Sequence, residues 1–176
     1  MFTRHFQGHG WRWSLVALSW LPVVVTFNEN VCHIAKIEGS SMRPTLNPNE
    51  CSSSSDWVLL WKFNIRNAYN LNRDDVILFK CPTDPTKTYC KRIKGIQYDS
   101  IKTRYPYPRE IVNIPRSHLW VEGDNVFHSV DSNDFGPISA GLAIGKVIKV
   151  IWPPSRWGTD VKSTTGRQQL ITNQAD

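Results

Sequence analysis

The chain has 176 residues, 40% hydrophobic and 20% charged, with 8 Trp. That length suits one well-buried domain, and that composition excludes intrinsic disorder, collagen-like repeats and coiled coil. Lys and Arg number 21 against 15 Asp and Glu, a formal charge of +6, which matters for acidic lipid or nucleic acid only if it clusters. It does cluster: residues 80–104 carry Lys80, Lys87, Lys91, Arg92, Lys94, Lys102 and Arg104 against Asp84 and Asp99.

Residues 1–12 hold basic residues and no acid, as an organellar address would. Residues 13–27 then read WSLVALSWLPVVVTF, fifteen positions without a charge. Fifteen helical residues reach only about 22 Å against a hydrocarbon core of roughly 30 Å, so a transmembrane anchor over 13–31 needs its flanks or a thinned bilayer. Trp11, Trp13 and Trp20 suit the membrane interface, and Pro22 would only kink the helix. Arg4 and Arg12 precede the segment and Glu29 follows it, which predicts that the bulk of the chain lies across the membrane from its N-terminus. A cleaved signal would need small residues where Phe27-Asn28-Glu29-Asn30 stand. A buried core helix is the remaining alternative.

From 32 to 158 the pattern is short apolar runs punctuated by Gly, Pro, Asn and Asp, which predicts a mostly β domain. Strands are expected at 31–37, 57–63, 75–79, 87–96, 118–122 and 145–152, with turns such as Asn47-Pro48-Asn49 and Gly123-Asp124-Asn125 between them. The four-serine run 52–55 reads as a loop, and 159–176 as a polar, flexible tail. Cys32, Cys51, Cys81 and Cys90 offer no C-x-x-C pair, so neither a zinc ribbon nor a redox site is expected, and no metal or cofactor is implied.

Three stretches carry possible chemistry. Ser41, within Gly39-Ser40-Ser41-Met42-Arg43-Pro44-Thr45, sits where Gly and Pro can hold a hydroxyl on a tight exposed turn, although G-S-S is also ordinary loop composition. A serine nucleophile needs a base. His118 and His128, with Asp124 and Asp131 nearby, make a Ser-His-Asp triad one candidate. Lys91 is the other. Period-two alternation sets Tyr89, Lys91 and Ile93 on one strand face and Cys90, Arg92 and Lys94 on the opposite face. An ordinary lysine, with a pKa near 10.4, leaves only about one molecule in 2,500 neutral at pH 7, so a lysine base must be desolvated. The third stretch, Gly123-Asp124-Asn125 through Ser129, Asp131 and Ser132, is a dense polar loop whose Asp and Asn would ordinarily just build a turn.

Together these stretches resemble the type I signal peptidases, membrane-bound Ser/Lys endopeptidases. Ser41-Met42-Arg43-Pro44-Thr45 is similar to the family's S-M-x-P-T nucleophile box, Lys91-Arg92 to its K-R base box, and Gly123 to Ser132 to its G-D-N-x-x-x-S-x-D-S box, in the same order, over roughly residues 14–157. The compact length and the ending Trp152-Pro153-Pro154-Ser155-Arg156-Trp157-Gly158 are most like the mitochondrial inner-membrane branch. The resemblance implies a signal-peptidase-like β domain with one N-terminal membrane-anchoring helix, facing the intermembrane space. It implies Ser41 as nucleophile, Lys91 as general base, Ser129 orienting that amine and Asp131 bracing the loop. It also implies presequence-bearing protein substrates bound as an added strand, a sister catalytic subunit as partner in a heterodimer or larger complex, contact with membrane lipid, and no nucleic acid.

Two positions depart from the family pattern. Gly39 stands where the bacterial enzymes carry a serine that assists the oxyanion, so only backbone donation, chiefly the Ser41 N–H, is implied at that turn. Asn133 replaces the arginine that usually follows D-S, as in the branch's second-subunit type. The rival from another class is a membrane-tethered, non-catalytic β module that binds acidic partners through residues 80–104, with Tyr89, Tyr98, Tyr105 and Tyr107 as stacking surfaces.

Overall fold

A seven-stranded antiparallel sheet dominates the computed structural model, which describes residues 10–48, 55–161 and 170–171. Its strands are β1 (Cys32–Lys36), β2 (Trp57–Trp61), β3 (Val76–Lys80), β4 (Thr88–Gly95), β7 (His118–Glu122), β8 (Ile138–Ser139) and β9 (Ala143–Trp152), in the order β1-β2-β9-β3-β4-β7-β8. A second sheet holds β5 (Ser100–Lys102), β6 (Ile111–Asn113) and β10 (Leu170–Ile171), in the order β10-β5-β6. The helices are α1 (Gly10–Asn30) and the one-turn α2 (Ser132–Phe135).

The ten-residue β9 pairs with β2 on one side and β3 on the other, so the strand latest in the sheet's sequence order lies in its interior, next to the central β3. Both faces of the sheet are covered. Val76 and Leu78 of β3 join Met42, Leu46, Val58, Leu60, Val147 and Val150 in one cluster, while Ile77 and Phe79 join Ile93, Leu119, Val121 and Ile138 in the other. This two-sided burial explains why V-I-L-F runs continuously apolar where a half-exposed strand would alternate. The six expected strands are all present, with ends moved by a few residues. Strands β5, β6, β8 and β10 were not foreseen, because two or three residues cannot display a period.

At Gly95 the main sheet gives way to the small one. A Cβ there would lie 2.5 Å from Ile114 Cδ1, so glycine is what lets Ile101 and Ile114 pack against the end of β4. After residue 158, Asp160 bridges Lys149, Val161 is buried in the core, and Leu170–Ile171 pairs with β5. The remaining positions of the expected tail, residues 1–9 of the basic segment, and Ser52, Ser53 and Ser54 of the serine run lie outside the described residues.

Helix α1 runs 21 residues and passes almost directly into β1, with Val31 N donating to Phe27 O at 2.9 Å. Trp11, Trp13, Trp20 and Leu21 are exposed along it. A core helix is thereby excluded. Among the described residues, however, no helix is long and apolar enough to cross a membrane. The cause lies in the sequence of α1 itself, which includes Ser14, Ser19, Thr26, Asn28, Glu29 and Asn30.

Candidate active site

The nucleophile turn follows β1 and is fastened from below by its own apolar residues. Met42 and Leu46 are buried among Ile37, Val58 and Leu60, and Leu46 N donates to Met42 O at 2.9 Å. Gly39 has φ +98°, a conformation costly for residues with a Cβ, while nothing would obstruct a side chain there. Glycine at 39 therefore serves the backbone turn. Ser41, between these anchors, is half-buried, and neither its hydroxyl nor its N–H bonds to any described residue. The N–H is thus free to donate to an oxyanion.

Lys91 lies in the middle of β4, opposite Ile77, on the face with Ile93 and Tyr89. It is 3% exposed and makes no hydrogen bond or ion pair with the described residues; its Nζ sits 5.7 Å from the Tyr89 ring centroid. Burial lowers its pKa, against the opposing pull of Asp131, Cys90, Asp134 and Asp124. Desolvation prevails because no carboxylate comes within bonding distance to favour the ammonium form. Burial therefore favours the neutral amine more than it would in an exposed lysine.

The next residue, Arg92, points to the other face and is fully paired. Its Nε and Nη2 bind both oxygens of Asp124 at 2.8 and 2.7 Å, and its Nη1 donates to Asp74 O and Val161 O. Asp124 also accepts from Thr45 Oγ1 at 2.6 Å. One buried carboxylate therefore ties the base strand to the nucleophile turn. Asn125 completes the lacing, donating from N to Ser41 O at 3.0 Å and from Nδ2 to Ser40 O at 3.1 Å. From behind, Arg156 binds Asp56 and donates to Thr45 O. Roles for Arg92, Asn125, Thr45 and Arg156 were not assigned from sequence, and Asp124 was weighed only as the acid of a histidine triad, although all five lie inside the motifs already singled out.

Gly123 is the point of closest approach: a Cβ there would lie 2.6 Å from Ser41 O and 2.6 Å from Ser129 Cβ. Glycine at this position brings the nucleophile turn against Ser129. The Ser129 hydroxyl donates to Asp131 Oδ2 at 2.9 Å, the same oxygen that accepts from Gly123 N. Its proton is therefore used, and only its lone pairs remain for an amine N–H; no Ser129–Lys91 hydrogen bond is formed among the described residues. Asp131 also caps α2 through a capping box with Asp134. Ser41, Gly123, Ser129 and Asp131 are thus contiguous, and Asp131 is the carboxylate with the strongest charge effect on Lys91.

The histidine alternative is not assembled. His118 Nδ1 lies against Arg116 O, and no carboxylate binds His118 or His128 among the described residues. Asp124 and Asp131, the two acids a triad would need, are occupied as above. Burial pushes the Cys90 thiol up to about 12, which disfavours the thiolate that a cysteine nucleophile needs. The basic stretch 80–104 is only partly available as a binding surface, with Lys80, Tyr98 and Tyr105 exposed. Lys91 and Arg92 are buried, while Lys87, Lys94, Lys102 and Arg104 pair with Asp84, Asp74, Glu110 and Glu122. Tyr107 packs on Trp120, and Tyr89 lies against Phe79.

A buried lysine without an ion pair among the described residues and a half-buried turn serine stand on this β-sheet scaffold. Residues 10–105 match the family model described as signal peptidase, peptidase S26, and the chain belongs to that family. It is 62% identical over 154 residues to mitochondrial inner membrane protease subunit 2 of Saccharomyces cerevisiae, covering 88% of this chain and 87% of that protein. Identity to the subunit 2 of Schizosaccharomyces pombe is 43%, over 82% and 79% of the two chains; to subunit 1 of the same organism it is 35%, over 76% and 82%. The chain is a membrane-associated serine peptidase of the mitochondrial inner membrane.

Proposed function

We propose that the chain removes sorting presequences from proteins delivered to the intermembrane space, with Ser41 as nucleophile and Lys91 as general base. Neutral Lys91 takes the Ser41 proton as Oγ attacks the scissile carbonyl, forming a tetrahedral oxyanion that the Ser41 N–H receives. Collapse expels the amine, which leaves with the proton from the Lys91 ammonium. Lys91 then takes a proton from water as its oxygen attacks the acyl-enzyme, and collapse of the second tetrahedral intermediate releases the acid while the Lys91 ammonium returns the proton to Ser41 Oγ. Ser129 accepts from the Lys91 amine and orients its lone pair, with Asp131 holding Ser129. A small side chain is expected before the cleaved bond, on a substrate bound as an added strand.

The observation that carries this reading is Lys91, 3% exposed on a strand and without an ion pair. Unpaired buried lysines are costly and cluster at functional sites. Helix α1 is the proposed single anchor, with the exposed Trp11, Trp13 and Trp20 at the bilayer and the β domain in the intermembrane space. Similarity to both subunit types of the inner membrane protease supports a sister catalytic subunit as partner.

The test uses membranes carrying the full chain and its partner with a presequence peptide. Ser41→Ala and Lys91→Met are each expected to lower kcat/KM by about 10⁴-fold or more, and His128→Ala to leave it unchanged. An active Lys91→Met would overturn the assignment. For topology, protease added to mitochondria with a ruptured outer and an intact inner membrane should digest residues 38–176; full protection would reverse the orientation.

A further inference from the structure

Behind Asp131 lies a second buried carboxylate whose charge is balanced from the small sheet. Glu122, at the end of β7, is opposite Arg92 in the strand register, but Arg92 is occupied by Asp124. The counterion of Glu122 is Arg104, two residues beyond β5, with Nη2 donating to Oε2 at 2.6 Å. Trp120 Nε1 donates to Glu122 Oε1 at 3.0 Å. Arg104 Nε is buried without a partner, so the guanidinium is held in place by Glu122 alone among the described residues.

Asn133 joins this pair to the site. Its Nδ2 donates to Asp131 Oδ1 at 2.9 Å and to Glu122 Oε1 at 3.2 Å, using both amide protons, and its Oδ1 accepts from Arg104 N at 2.8 Å. The amide is saturated, and all three of its side-chain partners belong to the set Arg104, Glu122 and Asp131. Asn133 stands where the family pattern has an arginine, and a neutral amide cannot bring that residue's charge.

We propose that Arg104 is a positioning residue for the Ser/Lys dyad: through Glu122 and Asn133 it holds Asp131, and with it Ser129, supplying from the small sheet the positive charge that an arginine after D-S would bring directly. Without Arg104, Glu122 is a buried anion with no counterion, and it competes with Asp131 for the Asn133 amide. Asp131 then loses its fixed orientation, and Ser129 with it. Displacement of Asp131, the carboxylate with the strongest pull on Lys91, also alters the balance between amine and ammonium. The charged and titratable groups around Lys91 are Asp131 and Asp134 at α2, Asp124 in the 123–125 turn, and Tyr89, Cys90 and Arg92 on its own strand.

This inference rests on the dyad reading above, and the experiment separates the two. Presequence-peptide cleavage is measured against pH with the full chain in membranes. Arg104→Met is expected to lower kcat roughly ten- to a hundredfold at unchanged KM, and to shift the rising limb of the pH profile. Adding Glu122→Gln, which keeps an acceptor for Trp120 and Asn133 but removes the charge, should restore most of both. Lys102→Met, a charge loss on the exposed side of β5, should change neither.

Parental kcat and limb in Arg104→Met, or a double variant as impaired as the single one, would overturn the role of Arg104. If Arg104→Met does not fold, Arg104→Lys is read instead: a lower kcat with the limb in place supports the role, and parental kcat overturns it. An active Lys91→Met would instead refute the dyad, whatever Arg104 does.

Discussion

Lys91 and Arg92 are consecutive on β4, both of cationic type and both buried, yet their surroundings have opposite character. On one face, Arg92 meets a bidentate carboxylate and two backbone carbonyls, so its permanent charge is matched. On the other, Lys91 meets Ile93, Ile77 and an aromatic ring, with no partner for a proton-bearing amine. The residue types fit these environments: arginine cannot shed its proton and lysine can. One face of the strand matches a buried charge, and the other desolvates an amine at a cost to stability.

The largest test removes the structural half. Arg92→Met leaves Asp124 buried without its counterion and is expected to cost about 3–5 kcal/mol in chemical denaturation. Lys91→Arg breaks the other half. It installs a charge that cannot be neutralised among apolar side chains, and should lower stability by roughly several kcal/mol while ending cleavage. Arg92→Lys keeps the charge but cannot satisfy Asp124 and two carbonyls together, which should cost about 1–3 kcal/mol.

Lys91→Met gives the smallest change, and its sign is the informative part. Because the folded pKa is depressed, the buried lysine opposes folding fully below that folded value. The penalty shrinks as pH rises and vanishes above the unfolded value near 10.4. Lys91→Met should therefore melt higher than the parent at pH 7, with the difference narrowing toward pH 10. A lower melting temperature would make Lys91 a charged structural residue. The same depression places the rising limb of kcat/KM below the pH of an ordinary lysine in the parent enzyme.

The chain order of the three motifs and the two faces of β4 were legible without coordinates, because period-two alternation follows from strand geometry alone. So were the six longer strands, whose apolar runs outlast a period. What the alternation left open was which buried cation has a partner, since Asp124 lies 32 positions from Arg92 and is brought there by the pairing of β4 with β7. Sequence alone also left histidine and lysine as competing bases. In the fold Asp124 is committed to Arg92 and Thr45, and Asp131 to Ser129, Gly123 and Asn133, so neither acid orients a histidine. Asn133 was visible only as a departure from pattern. The fold adds its contacts with Glu122 and Arg104, the latter reaching in beside a three-stranded sheet whose strands are too short to leave a periodic trace. Local geometry is written in residue order, whereas the balance of buried charge depends on contacts across the chain that only packing creates.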